Sequence, residues 1–147
     1  MTRPSPPFPF QRHWYPVSPI EDLDPSRPTA VELLGRRFVV WRPGGAAGSA
    51  PMRAFLDLCP HRLAPLSEGR IDPDSGQLSC SYHGWQFDGD GLCRRIPQAD
   101  PVEPAAERAR HLCATAVPCR QAQDLLWLWP DPASSAEAEA TPLPLSD

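Results

Sequence analysis

An all-β fold, a small antiparallel sandwich, is predicted by three features of this chain. Proline supplies 21 of the 147 residues, against an average share of ~5 %, and proline interrupts helix interiors and central strands alike. Apolar residues come in short runs bounded by Gly, Pro and Asp clusters, the punctuation of strands and turns. No long stretch carries the 3.6-residue period of an amphipathic helix, and no internal repeat is visible. The length suits one domain with a real core and leaves no room for a second of typical size.

Each element follows from its residues. Residues 1–12 are proline-rich and read as a disordered or loosely attached tail. Trp14-Tyr15-Pro16-Val17 reads as a short edge strand, since proline there removes a ladder donor. Ala30–Leu34 and Arg37–Arg42 are strands around a tight turn at Gly35-Arg36. Pro43–Pro51, rich in glycine and alanine, is a loop leading to a strand over Met52–Leu58. Asp72-Pro73-Asp74-Ser75-Gly76 is a turn by composition. Gln86–Asp88 and Leu92–Ile96 form a hairpin around Gly89-Asp90-Gly91. Residues 98–111 are polar, with one helical turn at Ala105–His111. Ala116–Arg120 and Leu125–Trp129 close the sheet, and Ser/Ala/Glu/Pro composition makes 131–147 a flexible tail or linker. The folded domain is thus expected over 13–130.

Charge and composition exclude several classes. The formal net charge of −4, from 14 basic and 18 acidic residues, gives no electrostatic footprint for nucleic acid. All basic residues are arginine, and lysine and asparagine are absent, which reads as GC-rich coding rather than function. No apolar run approaches the ~20 residues that cross a bilayer, so no membrane span is expected. Met1–Pro7 has no apolar signal core, and no transit peptide is visible. The five cysteines have no spacing that suggests a disulfide framework, which fits a reducing compartment.

The chemistry sits in Cys59-Pro60-His61 and, after 18 intervening residues, Cys80-Ser81-Tyr82-His83. One cysteine and one histidine fall in each of two short loops. Two thiolates with two imidazoles suit a mixed-ligand [2Fe–2S] centre. A tetrahedral zinc site uses the same residue types, so the four residues alone leave both open.

The surrounding sequence narrows the choice. Cys59-Pro60-His61-Arg62-Leu63-Ala64-Pro65-Leu66-Ser67-Glu68-Gly69, with the stretch from Cys80 through Pro97, resembles the Rieske domains of non-haem iron oxygenases. Among those it is most similar to the pheophorbide a oxygenase and chlorophyllide a oxygenase group. The resemblance covers roughly residues 13–130 and implies a Rieske-type β-sandwich with a two-loop cluster-binding subdomain. It also implies a [2Fe–2S] cluster with Cys59 and Cys80 on one iron and His61 and His83 on the other. Two ferric ions, two sulfides, two thiolates and neutral imidazoles sum to zero charge. An all-thiolate cluster is more negative, so histidine ligation raises the potential into the ≈ −150 to +300 mV Rieske range. Respiratory Rieske proteins carry a serine after the loop-two His-Gly and an extra loop cysteine pair. Here Trp85 stands at the serine position, and Arg62 and Tyr82 offer no thiols. A potential near the bottom of the range is expected.

The family passes electrons from a reductant, often ferredoxin, through this cluster to a mononuclear iron held by a two-histidine, one-carboxylate triad. The implied partners are therefore reduced ferredoxin or a similar reductant and a mononuclear iron domain of the same or a partner chain. No triad is visible downstream of the motif, so this chain is read as the electron-transfer domain. The expected function is one-electron transfer within an oxidoreductase acting on a chlorophyll-derived tetrapyrrole, in the chloroplast or otherwise the cytoplasm. A free-standing Rieske ferredoxin is the alternative.

The remaining candidates have plainer readings. Tyr82 and Trp85 are expected to pack and shield the cluster from water. His13 and His111 lack partners at ligand spacing. Cys93, Cys113 and Cys119 read as small buried hydrophobes. Asp57, Asp88 and Asp90 read as turn or solvated residues, and Arg62, Arg94 and Arg95 as ordinary surface with a possible steering role.

Overall fold

The computed structural model describes residues 8–60, 63–81, 84–96 and 113–145. Among the described residues, eleven strands pair antiparallel in three sheets. The first holds β1 (Tyr15–Pro19), β11 (Leu125–Leu128) and β10 (Cys119–Ala122), with β11 central. The second runs β2 (Thr29–Leu33), β3 (Arg36–Trp41), β4 (Arg53–Leu56), β9 (Ala116–Val117). The third runs β5 (Arg70–Ile71), β6 (Leu78–Ser79), β7 (Gln86–Phe87), β8 (Cys93–Arg95). The all-β expectation holds.

The second sheet is the middle layer, and β3 shows why. Successive side chains of a strand point to opposite faces, and Phe38, Val39, Val40 and Trp41 are all fully buried. Phe38 and Val40 join Leu126 and Leu128 of the first sheet in one apolar cluster. Val39 and Trp41, with Phe55, join Leu78 and Phe87 of the third sheet in another. An unbroken apolar run with cover on both sides is therefore the correct sequence for this strand.

The same logic applies to β11. Leu126 and Leu128 face the middle sheet, while Trp127 and Trp129 face outward against Trp14 and Ala138. Ala138 belongs to a short helix, Ser135–Ala140, entered through a 3-10 turn at Pro132–Ser134. The Trp14 indole N–H donates to the Ala138 and Thr141 carbonyls, and the Arg120 guanidinium stacks on Trp14 while donating to the Ala138 carbonyl. The tail expected from composition over 131–147 is thus a packed strap over 132–140. A tryptophan face cannot be left in water, and alanine-rich sequence gives a helix small enough to lie on it.

The N-terminal expectation also changes over its described part. Arg12 reaches Asp131 and Glu137, and the Asp131 N–H donates to the Gln11 carbonyl, so residues 11 and 12 are tied to the strap. The β2–β3 turn centres on Leu34-Gly35, both with positive φ (53° and 76°), one residue earlier than expected, because two left-handed residues suit the hairpin twist. The strand expected over 116–120 is split at Pro118 into β9 and β10, which belong to different sheets. Proline offers no N–H to continue a ladder. The helical turn expected at Ala105–His111 lies outside the described residues.

Candidate metal centre

Two loops of matching build flank the third sheet, the first between β4 and β5 and the second between β6 and β7. In the first, the Cys59 N–H donates to the Ala64 carbonyl at 2.7 Å and the Leu63 N–H to the Cys59 carbonyl at 2.7 Å. In the second, the Cys80 N–H donates to the Trp85 carbonyl at 2.8 Å and the Gly84 N–H to the Cys80 carbonyl at 3.1 Å. Each loop is closed by the same pair of bonds, from cysteine to its fourth and fifth successors. Closure needs a left-handed residue at the fourth position, supplied by Leu63 (φ 57°) and Gly84 (φ 70°). Glycine takes that conformation freely, and leucine does so at a cost of roughly 1–2 kcal/mol.

Both cysteines are buried, Cys59 1 % and Cys80 5 % exposed, and belong to one apolar cluster with Ala64, Leu66, Leu78 and Trp85. Trp85 is itself buried, in keeping with the packing role expected of it. His61, Arg62, Tyr82 and His83 lie outside the described residues. The two loops are joined directly behind the cysteines. Gly69 follows the first loop, and a Cβ built on it would collide with the Ser79 carbonyl, one residue before Cys80. Arg70 and Ser79 then pair in the β5–β6 ladder. The exit of one loop is therefore fastened to the entry of the other.

Asp57 departs from expectation. It is not solvated: the side chain is 1 % exposed. One carboxylate oxygen accepts the Ser67 N–H at 2.7 Å and the other the Ser67 hydroxyl at 2.6 Å. Arg37 Nη2 lies 3.4 Å from the second oxygen. No pattern in the local sequence marks this residue, because its partners sit ten residues on and on another strand.

The other candidates sort by burial. Asp88 holds the β7–β8 turn by accepting the Asp90 and Leu92 N–H groups and the Arg94 Nε–H, as a turn residue should. Asp90 is exposed and faces Arg53 at 3.7 Å. Cys93 is buried, and burial pushes its thiol up. Cys119 is pushed up to about 12 by burial, which makes it unreactive. Cys113 is exposed, against the expectation of a buried hydrophobe, because it lies across from Leu92 at the margin of the third sheet. His13 stacks on Phe8, in keeping with a packing role. A cleft of about 540 Å³ lies between Trp14, Arg53, Asp90, Arg120 and Glu139 and includes no described residue of either loop.

Two buried thiols on matched loops within one apolar cluster suit an iron–sulfur group, whose sulfides tolerate apolar packing and whose thiolates are best kept from water. Comparison with known proteins agrees. The Rieske [2Fe-2S] domain family matches residues 13–110. The chain is 51 % identical over 140 residues to a chloroplastic pheophorbide a oxygenase of Oryza sativa subsp. japonica, covering 94 % of this chain and 26 % of that protein. It is 44 % identical over 127 residues to a chloroplastic flavonoid 8-hydroxylase 2 of Ocimum basilicum, covering 84 % and 23 %. The crystal structure of dicamba monooxygenase bound to dicamba superposes with TM-score 0.69 at 34 % identity, covering 84 % of this chain and 36 % of that one. The chain thus spans about a quarter of the length of the curated relatives it matches.

Proposed function

Because this chain belongs to the Rieske [2Fe–2S] domain family, whose members bind a [2Fe–2S] cluster, we propose that Cys59 and Cys80 ligate one iron and His61 and His83 the other. We further propose that the chain is the electron-transfer part of a Rieske-type oxygenase acting on a chlorophyll-derived tetrapyrrole. The observation that carries the reading is the matched closure of the Cys59 and Cys80 loops within one apolar cluster.

Bound there, the cluster supplies a one-electron store at a potential set by mixed thiolate and imidazole ligation. The residues of this chain do the rest. The backbone bonds of each loop fix the direction of its cysteine. Leu66, Leu78, Trp85 and Phe87 exclude water on the inner side, which lowers the local dielectric around the thiolates. The Gly69–Ser79 contact sets the spacing between the two loops. Reduced ferredoxin or a similar reductant is the proposed donor, and a mononuclear iron domain of the same or a partner chain the acceptor. The 51 % identity to the rice enzyme, above the 44 % to the basil hydroxylase, supports the tetrapyrrole class and a chloroplast location.

The test is anaerobic purification under iron-replete conditions. Iron and acid-labile sulfide in [2Fe–2S] stoichiometry are expected, with the electron paramagnetic resonance signal of a mixed-ligand cluster after dithionite reduction. Cys59→Ala or His83→Ala should abolish both. Bound zinc without iron or sulfide would sink the proposal.

A further inference from the structure

We propose that Asp57, with Ser67 and Arg37, is a clasp that positions the Cys59 loop, a role that rests on the ligand reading above. Asp57 precedes Cys59 by two residues, and Ser67 follows the closing residue Ala64 by three. A single carboxylate thus ties the entry of the loop to its exit, with both oxygens occupied by Ser67. Arg37 completes it from β3: Nη2 reaches the carboxylate at 3.4 Å and the Ser67 hydroxyl at 3.4 Å, and the Arg37 carbonyl accepts the Asp57 N–H at 3.1 Å.

Burial makes this arrangement informative. A carboxylate with almost no exposure is costly unless fully paired, and an apolar residue of similar size usually serves stability as well or better. What the charged group adds is geometry. Ser67 donates through both its N–H and its hydroxyl to one carboxylate, so the loop exit has one allowed orientation relative to its entry. The loop between them carries Cys59, whose buried thiol must meet a metal at a fixed distance and angle. Apolar packing alone leaves such a loop free to slide, because dispersion contacts carry little directional preference. The clasp also sits where the left-handed Leu63 (φ 57°) strains the same loop. A strained turn persists only when its surroundings over-determine it, and Asp57 supplies that constraint across the stem.

The positioning role predicts a graded series in the full chain, loaded with its cluster. Ser67→Ala removes one of two bonds to the carboxylate. Asp57→Asn keeps the shape but replaces one accepting oxygen with a donor. Arg37→Met removes an exposed guanidinium with little risk to folding. Far-ultraviolet circular dichroism should stay that of the parent in Ser67→Ala and Arg37→Met. Iron release to a chelator should accelerate in the order Arg37→Met, Ser67→Ala, Asp57→Asn, reaching at least tenfold in the last. The reduced-cluster paramagnetic resonance spectrum should broaden in the same order. A merely structural contact shifts unfolding without moving that spectrum. If the parent chain takes up no iron–sulfur cluster, the ligand reading fails. If the parent is loaded and Ser67→Ala and Arg37→Met both keep its spectrum and release rate, the clasp is overturned.

Discussion

Leu63 occupies the position that Gly84 fills in the other loop, with the same left-handed backbone and a side chain 66 % exposed. Its side chain lies mostly in solvent, so packing against the described residues does little to offset the strain. Leu63→Gly should therefore raise stability by about 0.5–1 kcal/mol, the relief of the left-handed penalty less the entropy glycine adds to the unfolded chain. Urea denaturation followed by circular dichroism reads this directly, and a loss of stability would show that the leucine makes contacts in the loaded protein. Trp85 invites a second residue-scale test. Its indole lies in the core and brings no hydroxyl toward a sulfide, so protein-film voltammetry should place the midpoint in the lower half of the ≈ −150 to +300 mV range. The Cys59 and Cys80 loops stand out in the sequence because ligand chemistry needs cysteine and histidine at such spacing, and the structure buries both thiols in one cluster. Asp57 does not stand out, since a buried carboxylate and a solvated one look alike until the partners ten residues on are folded against it.

Among the elements, the β5–β6 connection is the least visible in sequence and the most consequential. Each strand has two residues, too short for alternation to declare itself. Yet this ladder sets the distance between the loops. Gly69→Ala should cost about 1–3 kcal/mol through overpacking and reduce cluster content, measured as iron per chain. Full cluster content in a stable Gly69→Ala protein would remove Gly69 from the account. The strap shows the opposite failure. Its composition is that of a linker, and only the outward Trp127 and Trp129 reveal that something must cover them. Asp131 starts it by accepting the Ala133 N–H, and that bond, ahead of the Ser134 hydroxyl and nearby Arg12, holds its carboxyl below the ordinary carboxylate value. A lowered folded-state pKa contributes stability above the unfolded value and loses it as pH falls through the folded value. The strap should thus loosen in acid, below the ordinary carboxylate range, seen as a shift in tryptophan emission. Asp131→Asn should show a smaller acid-dependent shift.

At the scale of the molecule, the strand-rich fold was readable because proline and turn residues leave few other options, and most strands fall within a few residues of expectation. The grouping into three sheets was not readable. Pairing joins residues distant in sequence, such as β1 with β11, and local pattern carries no record of it. The two cores on either side of the middle sheet can be told apart by experiment. Val39→Ala and Val40→Ala each remove a fully buried side chain and should each cost about 1–3 kcal/mol. Only Val39 shares a cluster with Cys59 and Cys80. The reduced-cluster resonance spectrum should therefore change in Val39→Ala and stay put in Val40→Ala, and equal effects from both would contradict separate cores.

The two-sided burial of β3 also bears on how this sequence can drift. Gain or loss of one codon within residues 36–41 would exchange the two sets of side chains wholesale, putting Phe38 and Val40 where Val39 and Trp41 belong. Such a change cannot be repaired by any single substitution. In the Pro43–Pro51 connection and the Asp72–Gly76 turn no face is exchanged, and loops absorb length at small cost away from the Gly44 N–H to Gly76 carbonyl bond that joins the two. In a lineage-wide comparison, gaps should accumulate at those two places and spare β3.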